Sequence, residues 1–498
     1  MSERLDPSGS PVRVGGITLR TPGLEGVVSV MPPTSAETRA AAFDSAALEE
    51  ALREEGVATD ETLEITDTNE VEAGGGEGTR TAQGEPAIEL EVWEPGEEWG
   101  QIVLYTDEAG VTTWAFSLPG EAAAPGERVR GGAGGRTYVL RRHVPPAPQG
   151  EATRGVIGAA GKKIIRVLSF KLLDPVFGRV GEHFVAKWEQ EKRPYRVRTF
   201  PPEGFRNASA KLVDLPDWPA LATSDGKRAL LFVHGTFSRA HAAFGGLPPE
   251  FMEALHRRYE GRVFAFDHPT ASEDPRQNVE WLLQEIPDRT RLDLDIICHS
   301  RGGLVSRVLA EKQADLALGS RQVRVHNVVF VAAPNAGTIL VNEEHMGDFV
   351  DSYTNLLNFF PDNGVTEGLE WIITVAKHLA CSTLKGLEGL QSMRPGGGFL
   401  TGINGATSPD KRYYAVASDF EPADLGLSSF KDGVMDRIFG HPNDLVVPTA
   451  GVWDHNGGSL FPIAEKLVLP DKGIHHSGYF SCPEVQRQIA RWLEVETG

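Results

Sequence analysis

Residues 292–312 read LDLDIICHSRGGLVSRVLAEK. Apolar residues alternating with acids lead into Cys298-His299, Ser300 follows, and behind Gly302-Gly303 the apolar positions recur at helical spacing. This is the pattern of a strand, a tight turn and a helix, with Ser300 on the tip. Such a turn forces its tip residue into a sparsely allowed backbone conformation, exposes the Oγ, and sets a helix N-terminus behind it that favours negative charge. The turn tolerates little bulk two positions before and after the serine. Gly302 meets that demand, and Cys298, small and readily buried, stands where a Gly-x-Ser-x-Gly elbow has its first glycine. Serine is also a favoured helix N-cap. Read alone, the stretch leaves Ser300 between nucleophile and cap.

The sequence on either side decides the fold class. From about residue 211, apolar runs alternate with helical patterns: ALLFVHG (229–235), VFAFDH (263–268), LDIICH, VHNVVFVAAP (325–334), RYYAVASD (412–419) and KLVLPDKGI (466–474). EFMEALHRRYE, PRQNVEWLLQEI and GGLVSRVLAEKQ are the helical stretches between them. Near-continuous apolar strands fit parallel pairing with both faces buried, so the reading is α/β: a mostly parallel sheet flanked by helices. Ser300 then stands just beyond the carboxyl end of a central strand, where such sheets place reactive groups.

The first two hundred residues read differently. Between residues 35 and 99 there are nineteen Asp and Glu against three Arg, so this segment carries most of the net charge of −20. Residues 1–84 are expected to form an acidic, partly flexible region with a helix over 40–56. Residues 85–148 show short alternating runs (AIELEVWE, QIVLYT, TTWAFSL, TYVLRRHV) expected of a small β-rich domain. Residues 149–205 are expected to be a basic amphipathic helical connector, broken into two helices at Asp174-Pro175. A helix of that kind either docks on its own protein or lies on an anionic membrane surface, which makes residues 155–198 a candidate for peripheral lipid contact. The catalytic domain is assigned to 206–498.

Net charge argues against nucleic acid as a partner, because no overall basic field exists to hold phosphates. Three scattered cysteines (Cys298, Cys381, Cys482) form neither a disulfide framework nor a zinc knuckle, and no ligand cluster has metal spacing. No cofactor or metal is expected. No secretory leader or membrane-spanning apolar run is visible, so the expected location is cytoplasmic. Oligomeric state is not legible.

A serine hydroxyl needs a base to take its proton, and the base needs an orienting carboxylate. The later strands are followed by HPNDLVVP and GIHHSGYFSCPEV. Asp444 precedes Leu-Val-Val-Pro, which would seat it at the sheet end; Asp419 and Asp454 compete for the role. The base is His475 or His476. In LLFVHGTFS the backbone N–H of Thr236, with that of Arg301, suits an oxyanion hole, leaving His234 a structural role.

The ordered set VHGTF, CHSRGG, VVFVAAPNAGT, NDLVVP and HHSGYFSCPEV, together with GLQSMRPGGGFLTGIN (389–404), resembles the lipase-like members of the α/β-hydrolase superfamily over roughly residues 230–493. The resemblance implies an α/β-hydrolase fold and a lipase- or esterase-like serine hydrolase with a Ser-His-Asp triad. Its spacing to the terminal helix selects His476 over His475. Cys298 departs from the family's usual glycine.

Residues 339–400 then read as a helical cap or lid insertion, with Phe237, Leu356, Phe359 and Phe360 as candidate lining of an acyl or alcohol pocket for an ester or lipid substrate. Acyltransferase, amidase or peptidase, and polyester depolymerase share the same triad. An interaction module carrying a regulated or inactive hydrolase domain is the alternative of another class.

Overall fold

A computed structural model describes residues 2–31, 45–71, 87–117, 135–142, 162–208, 217–223, 226–316, 319–361, 364–381, 384–405, 411–422, 425–454, 461–470 and 473–496. The acidic Gly/Glu-rich stretch from 72 to 85 and the Pro-rich spacer after His143 lie outside these residues.

The carboxyl-terminal half is built on a seven-stranded sheet in the order Arg196–Thr199, Val263–Asp267, Ala229–Val233, Arg291–His299, Gln322–Val331, Arg412–Ser418, Ile463–Leu469. The first strand runs antiparallel to its neighbour and all other pairs are parallel. All six strands expected from the apolar runs are present. The seventh, Arg196–Thr199, lies inside the stretch expected to be a helical connector. Its four residues, RVRT, are too few and too basic to display a strand period. The central strands carry branched aliphatic residues on both faces, so each face sits in its own core: Leu231, Ile296 and Val328 on one, Leu230, Ile297 and Val329 on the other.

The amino-terminal half is a sandwich of two antiparallel sheets. One has the order Ser2–Arg4, Leu24–Val30, Val57–Glu70, Lys163–Lys171, Trp99–Thr106, Thr112–Ala115; the other is Val12–Val14, Ile17–Arg20, Ala87–Trp93, Gly135–Arg141. Between them lie Leu19, Leu63, Ile65, Leu90, Val103, Tyr138 and Ile165. Two expectations are corrected here. The β-rich unit does not begin at residue 85: it takes in strands from residue 2 onward, with the helix Ser45–Glu54 packed beside them. The first connector helix is instead the strand Lys163–Lys171, paired on both edges. Ile165 and Val167 face the sandwich core while Leu168 and Phe170 face the large core shared with the other half. A strand buried on both faces has a continuous apolar run, which imitates a buried helix. Its Lys163 and Arg166 are buried rather than displayed to a lipid surface. The second expected helix is present as Phe184–Lys192.

Between Gln322–Val331 and Arg412–Ser418 the chain forms two long helices, Met346–Phe359 and Val365–Cys381, which line one cavity with Thr236 and His299 at the carboxyl ends of two central strands. Among the described residues, no helix is long and apolar enough to cross a membrane.

Candidate active site

Ser300 directly follows the strand Arg291–His299 and precedes the helix Gly302–Glu311. Its φ of 51° lies in the left-handed region, a strained conformation for a residue with a side chain. The Ser300 N–H is anchored to the Val331 carbonyl at 2.9 Å. Two glycines make room for the turn. A Cβ on Gly235 would come within 2.5 Å of the Ser300 Cβ, and one on Gly302 within 2.4 Å of the Val233 oxygen. Cys298 meets no such restriction: it is fully buried in the strand, its thiol directed to the Val329 carbonyl at 3.3 Å. Burial pushes that thiol up to about 12, so it is inert as a nucleophile.

The His476 Nε2 is 2.9 Å from the Ser300 Oγ, and its Nδ1 is 2.9 Å from the Asp444 Oδ2. All three side chains are buried. Asp444 is held by the turn it belongs to: its Oδ1 accepts the N–H groups of Val446 (3.1 Å) and Val447 (2.8 Å), and Leu445 takes φ 82° to close the turn. The Tyr479 hydroxyl donates to the Asp444 Oδ2 at 2.9 Å. Burial alone would raise the Asp444 carboxyl, but His476, the Val447 N–H and Tyr479 outweigh it and hold it below the usual carboxylate range. The histidine backbone is fixed as well. Its N–H donates to the Asp444 carbonyl (3.1 Å), and its carbonyl contacts the His299 Nε2 at 2.8 Å. Burial pushes His299 down to about 3, so it is neutral.

The competing residues are engaged elsewhere. His475 stacks on Phe360 with ring centroids 3.8 Å apart and contacts the Ser477 hydroxyl through Nδ1. Asp419 makes no bond to either histidine, and burial raises its carboxyl.

A cavity opens onto the triad, lined by Thr236, Phe237, Tyr353, Leu356, Trp371 and His476 among others. Of the expected pocket residues it takes Phe237 and Leu356. Phe359 and Phe360 are not among its lining residues, and Phe360 instead stacks on His475. Thr236 lines this cavity, and Arg301 sits next to the serine at the helix entry.

The Arg301 side chain, which no motif flagged, is fully buried and ties the elbow to its surroundings. Its Nε donates to the Gly389 carbonyl (2.8 Å), Nη1 to Asn278 Oδ1 (3.0 Å) and Nη2 to the Glu273 carbonyl. Glu189 was also missed. Its buried carboxylate accepts the N–H groups of Thr270 (2.8 Å), Ala271 (2.9 Å) and Ser272 (2.9 Å) and the indole N–H of Trp371 (3.0 Å). The Thr270 hydroxyl in turn accepts the Phe237 N–H at 3.3 Å. Phe237 has φ 53°, so the loop after Gly235 is clamped in a strained shape beside Thr236. His234 acts within this scaffold: its Nε2 accepts the His268 N–H at 3.1 Å, and burial pushes it down to about 4.

Among the described residues no group of three or more His, Cys, Asp or Glu is arranged to hold a metal ion. A family model described as Domain of unknown function (DUF7379) matches residues 192–494. No curated protein matches the chain. Solved structures with likeness to it include three hydrolases. The mature lipase BlEst2 of Bacillus licheniformis is 18% identical, over 55% of this chain and 95% of its own, with TM-score 0.32. The phospholipase PlaB of Legionella pneumophila is 15% identical, over 54% of this chain and 60% of its own, with TM-score 0.35. The metagenomic carboxyl esterase MGS0156 is 16% identical, over 57% of this chain and 79% of its own, with TM-score 0.30.

Proposed function

The chain belongs to the family described as Domain of unknown function (DUF7379), and we propose that it is a cofactor-free serine hydrolase cleaving carboxylic esters. The single observation that carries this reading is the hydrogen-bonded series Ser300–His476–Asp444 with its serine on a strained strand-to-helix turn.

In this mechanism the Ser300 Oγ bonds to the acyl carbon while its proton passes to His476 Nε2. The carbonyl electron pair moves onto oxygen, and the backbone N–H groups of Thr236 and Arg301 receive the resulting charge. His476 then protonates the departing alcohol. Water, deprotonated by the same nitrogen, releases the acid from the acyl-enzyme. Asp444 stays ionised, holds the imidazole by Nδ1 and stabilises its charged form. The apolar lining from Phe237, Leu356, Leu357 and Trp371 supports an acyl chain or an apolar alcohol as the group bound beside the serine.

Hydrolysis of p-nitrophenyl esters by the wild type and a Ser300→Ala variant tests the reading. The variant is expected to lose the activity while keeping its melting temperature. Retained hydrolysis in Ser300→Ala would refute the assignment.

A further inference from the structure

Tyr353 lies on the cap helix Met346–Phe359, and its side chain descends into the cavity that holds Thr236 and His476. The ring meets His476 edge-on at 5.9 Å and packs against Phe237 and Phe349, each at 5.0 Å. The residue is 8% exposed, and among the described residues its hydroxyl has no hydrogen-bond partner. That oxygen belongs to a ring standing over His476, which is itself bonded to the Ser300 Oγ, in the cavity that Thr236 also lines, and the Ser300 and Thr236 hydroxyls both act on its titration.

A buried hydroxyl without a partner is disfavoured, and phenylalanine would fill the same aromatic cluster without it. The position of this oxygen explains its presence. It lies in the cavity shared by His476 and Thr236, beside the triad, where charge appears only once Ser300 has attacked. We propose that the Tyr353 hydroxyl is a third donor to the tetrahedral oxyanion, a side-chain complement to the backbone N–H groups of Thr236 and Arg301. This assignment rests on the ester-hydrolase reading and deepens it.

The step balances without proton transfer from the phenol. The Ser300 oxygen forms its bond to carbon, its proton goes to His476, and the carbonyl pair becomes an alkoxide that accepts the Tyr353 O–H. When the alkoxide collapses, the leaving alcohol takes its proton from His476 and the phenol keeps its own. Burial holds the phenol well above its ordinary range, so it remains a donor and does not compete with His476 as a base. Because the donor comes from the cap, the oxyanion site is complete only with the cap seated on the sheet.

Wild type and Tyr353→Phe are compared in three measurements: kcat and KM on p-nitrophenyl esters, the rate of labelling by a fluorophosphonate, and the melting temperature. The phosphonyl adduct on Ser300 carries an oxygen where the oxyanion forms, so its rate of formation reports the same donor. Losing one such donor is expected to lower kcat by about 10²-fold and to slow labelling in parallel, with KM and melting temperature little changed. A purely structural role would move the melting temperature and leave the two rates together near wild type. Unchanged kcat and labelling, or a change confined to KM, overturns the assignment of Tyr353 alone. A wild-type protein that neither labels nor hydrolyses any ester overturns the hydrolase reading and this assignment with it.

Discussion

Asp107 in the amino-terminal sandwich and Asp444 in the carboxyl-terminal half are nearly the same local object. Each is buried at the start of a tight turn. The Oδ1 of Asp107 accepts the N–H groups of Ala109 and Val111, both at 2.9 Å, as that of Asp444 accepts those of Val446 and Val447. In both, the aspartate's own N–H closes the turn onto the carbonyl of the last of those residues. Their titration nevertheless goes in opposite directions. Burial drives Asp107 up to about 7, since Glu108 adds a like charge and the nearby Lys163 ammonium is paired with Glu108. Asp444 is pulled down because its second oxygen meets His476 and Tyr479. Turn chemistry and burial make a structural aspartate. A histidine and a phenol bonded to the free oxygen are what set Asp444 apart from that motif.

The comparison breaks first at Asp444. Asp444→Asn keeps the turn bonds but removes the charge that selects the His476 tautomer and stabilises its protonated form. A drop of about 10⁴-fold in kcat is expected, read on p-nitrophenyl esters with the melting temperature as control. An effect below tenfold would mean that His476 does not depend on this carboxylate.

Asp107→Asn sharpens the contrast, with the opposite sign. The folded state binds the Asp107 proton more tightly than the unfolded chain, whose value is near 3.8. Stability from this group is therefore full below about pH 4 and falls as pH rises towards 7. One pKa unit is worth about 1.4 kcal/mol, so asparagine should raise stability at pH 8 by a few kcal/mol and leave it unchanged at pH 4. Urea unfolding at the two pH values checks this, and ester hydrolysis should not change. For Asp444 the sign reverses: its contribution is present above the unfolded value and is lost as pH falls through its lowered one.

The same contrast explains what the sequence could disclose. The strands of the parallel sheet are continuous apolar runs followed at their carboxyl ends by short motifs, so Ser300, Asp444 and His476, which the structure brings together, could be picked out as a set. The sandwich has no such punctuation. Val57–Glu70 reads as an acidic arm because only Val57, Leu63 and Ile65 turn inward, while its acids face solvent or pair with residues such as Lys162. Lys163–Lys171 has no period because both of its faces are buried. Tyr353, Glu189 and the Arg301 side chain are legible only after docking: their partners lie on other segments, up to 182 residues away for Glu189 and Trp371, and no local pattern encodes that meeting.

The two halves join where the sandwich ends. Thr112–Ala115 is the last strand of the six-stranded sheet, and among the described residues one of its edges has no neighbouring strand. An exposed edge of this kind invites pairing with another chain. Here the cap helix covers it. Asp351 and Asn355, four residues apart and hence on one face of the helix, meet Trp114 and Thr112, two residues apart and hence on one edge of the strand. The Asp351 Oδ1 accepts the Trp114 N–H at 2.7 Å, while Asn355 both accepts the Thr112 N–H and donates to the Thr112 carbonyl, each at 2.8 Å. One amide thus reproduces the two bonds that a neighbouring strand would supply. The cap is fastened to the sandwich through these bonds, and the same helix carries Tyr353 into the site. Asn355→Ala leaves a buried N–H and a buried carbonyl unpaired, at a cost of roughly 1–3 kcal/mol after water reaches the edge. Because only the seating of the helix is loosened, ester hydrolysis should fall by less than the loss in Tyr353→Phe. Urea unfolding and kcat measured on the one variant decide it: stability and rate both at wild-type values would show that the sandwich does not hold the cap.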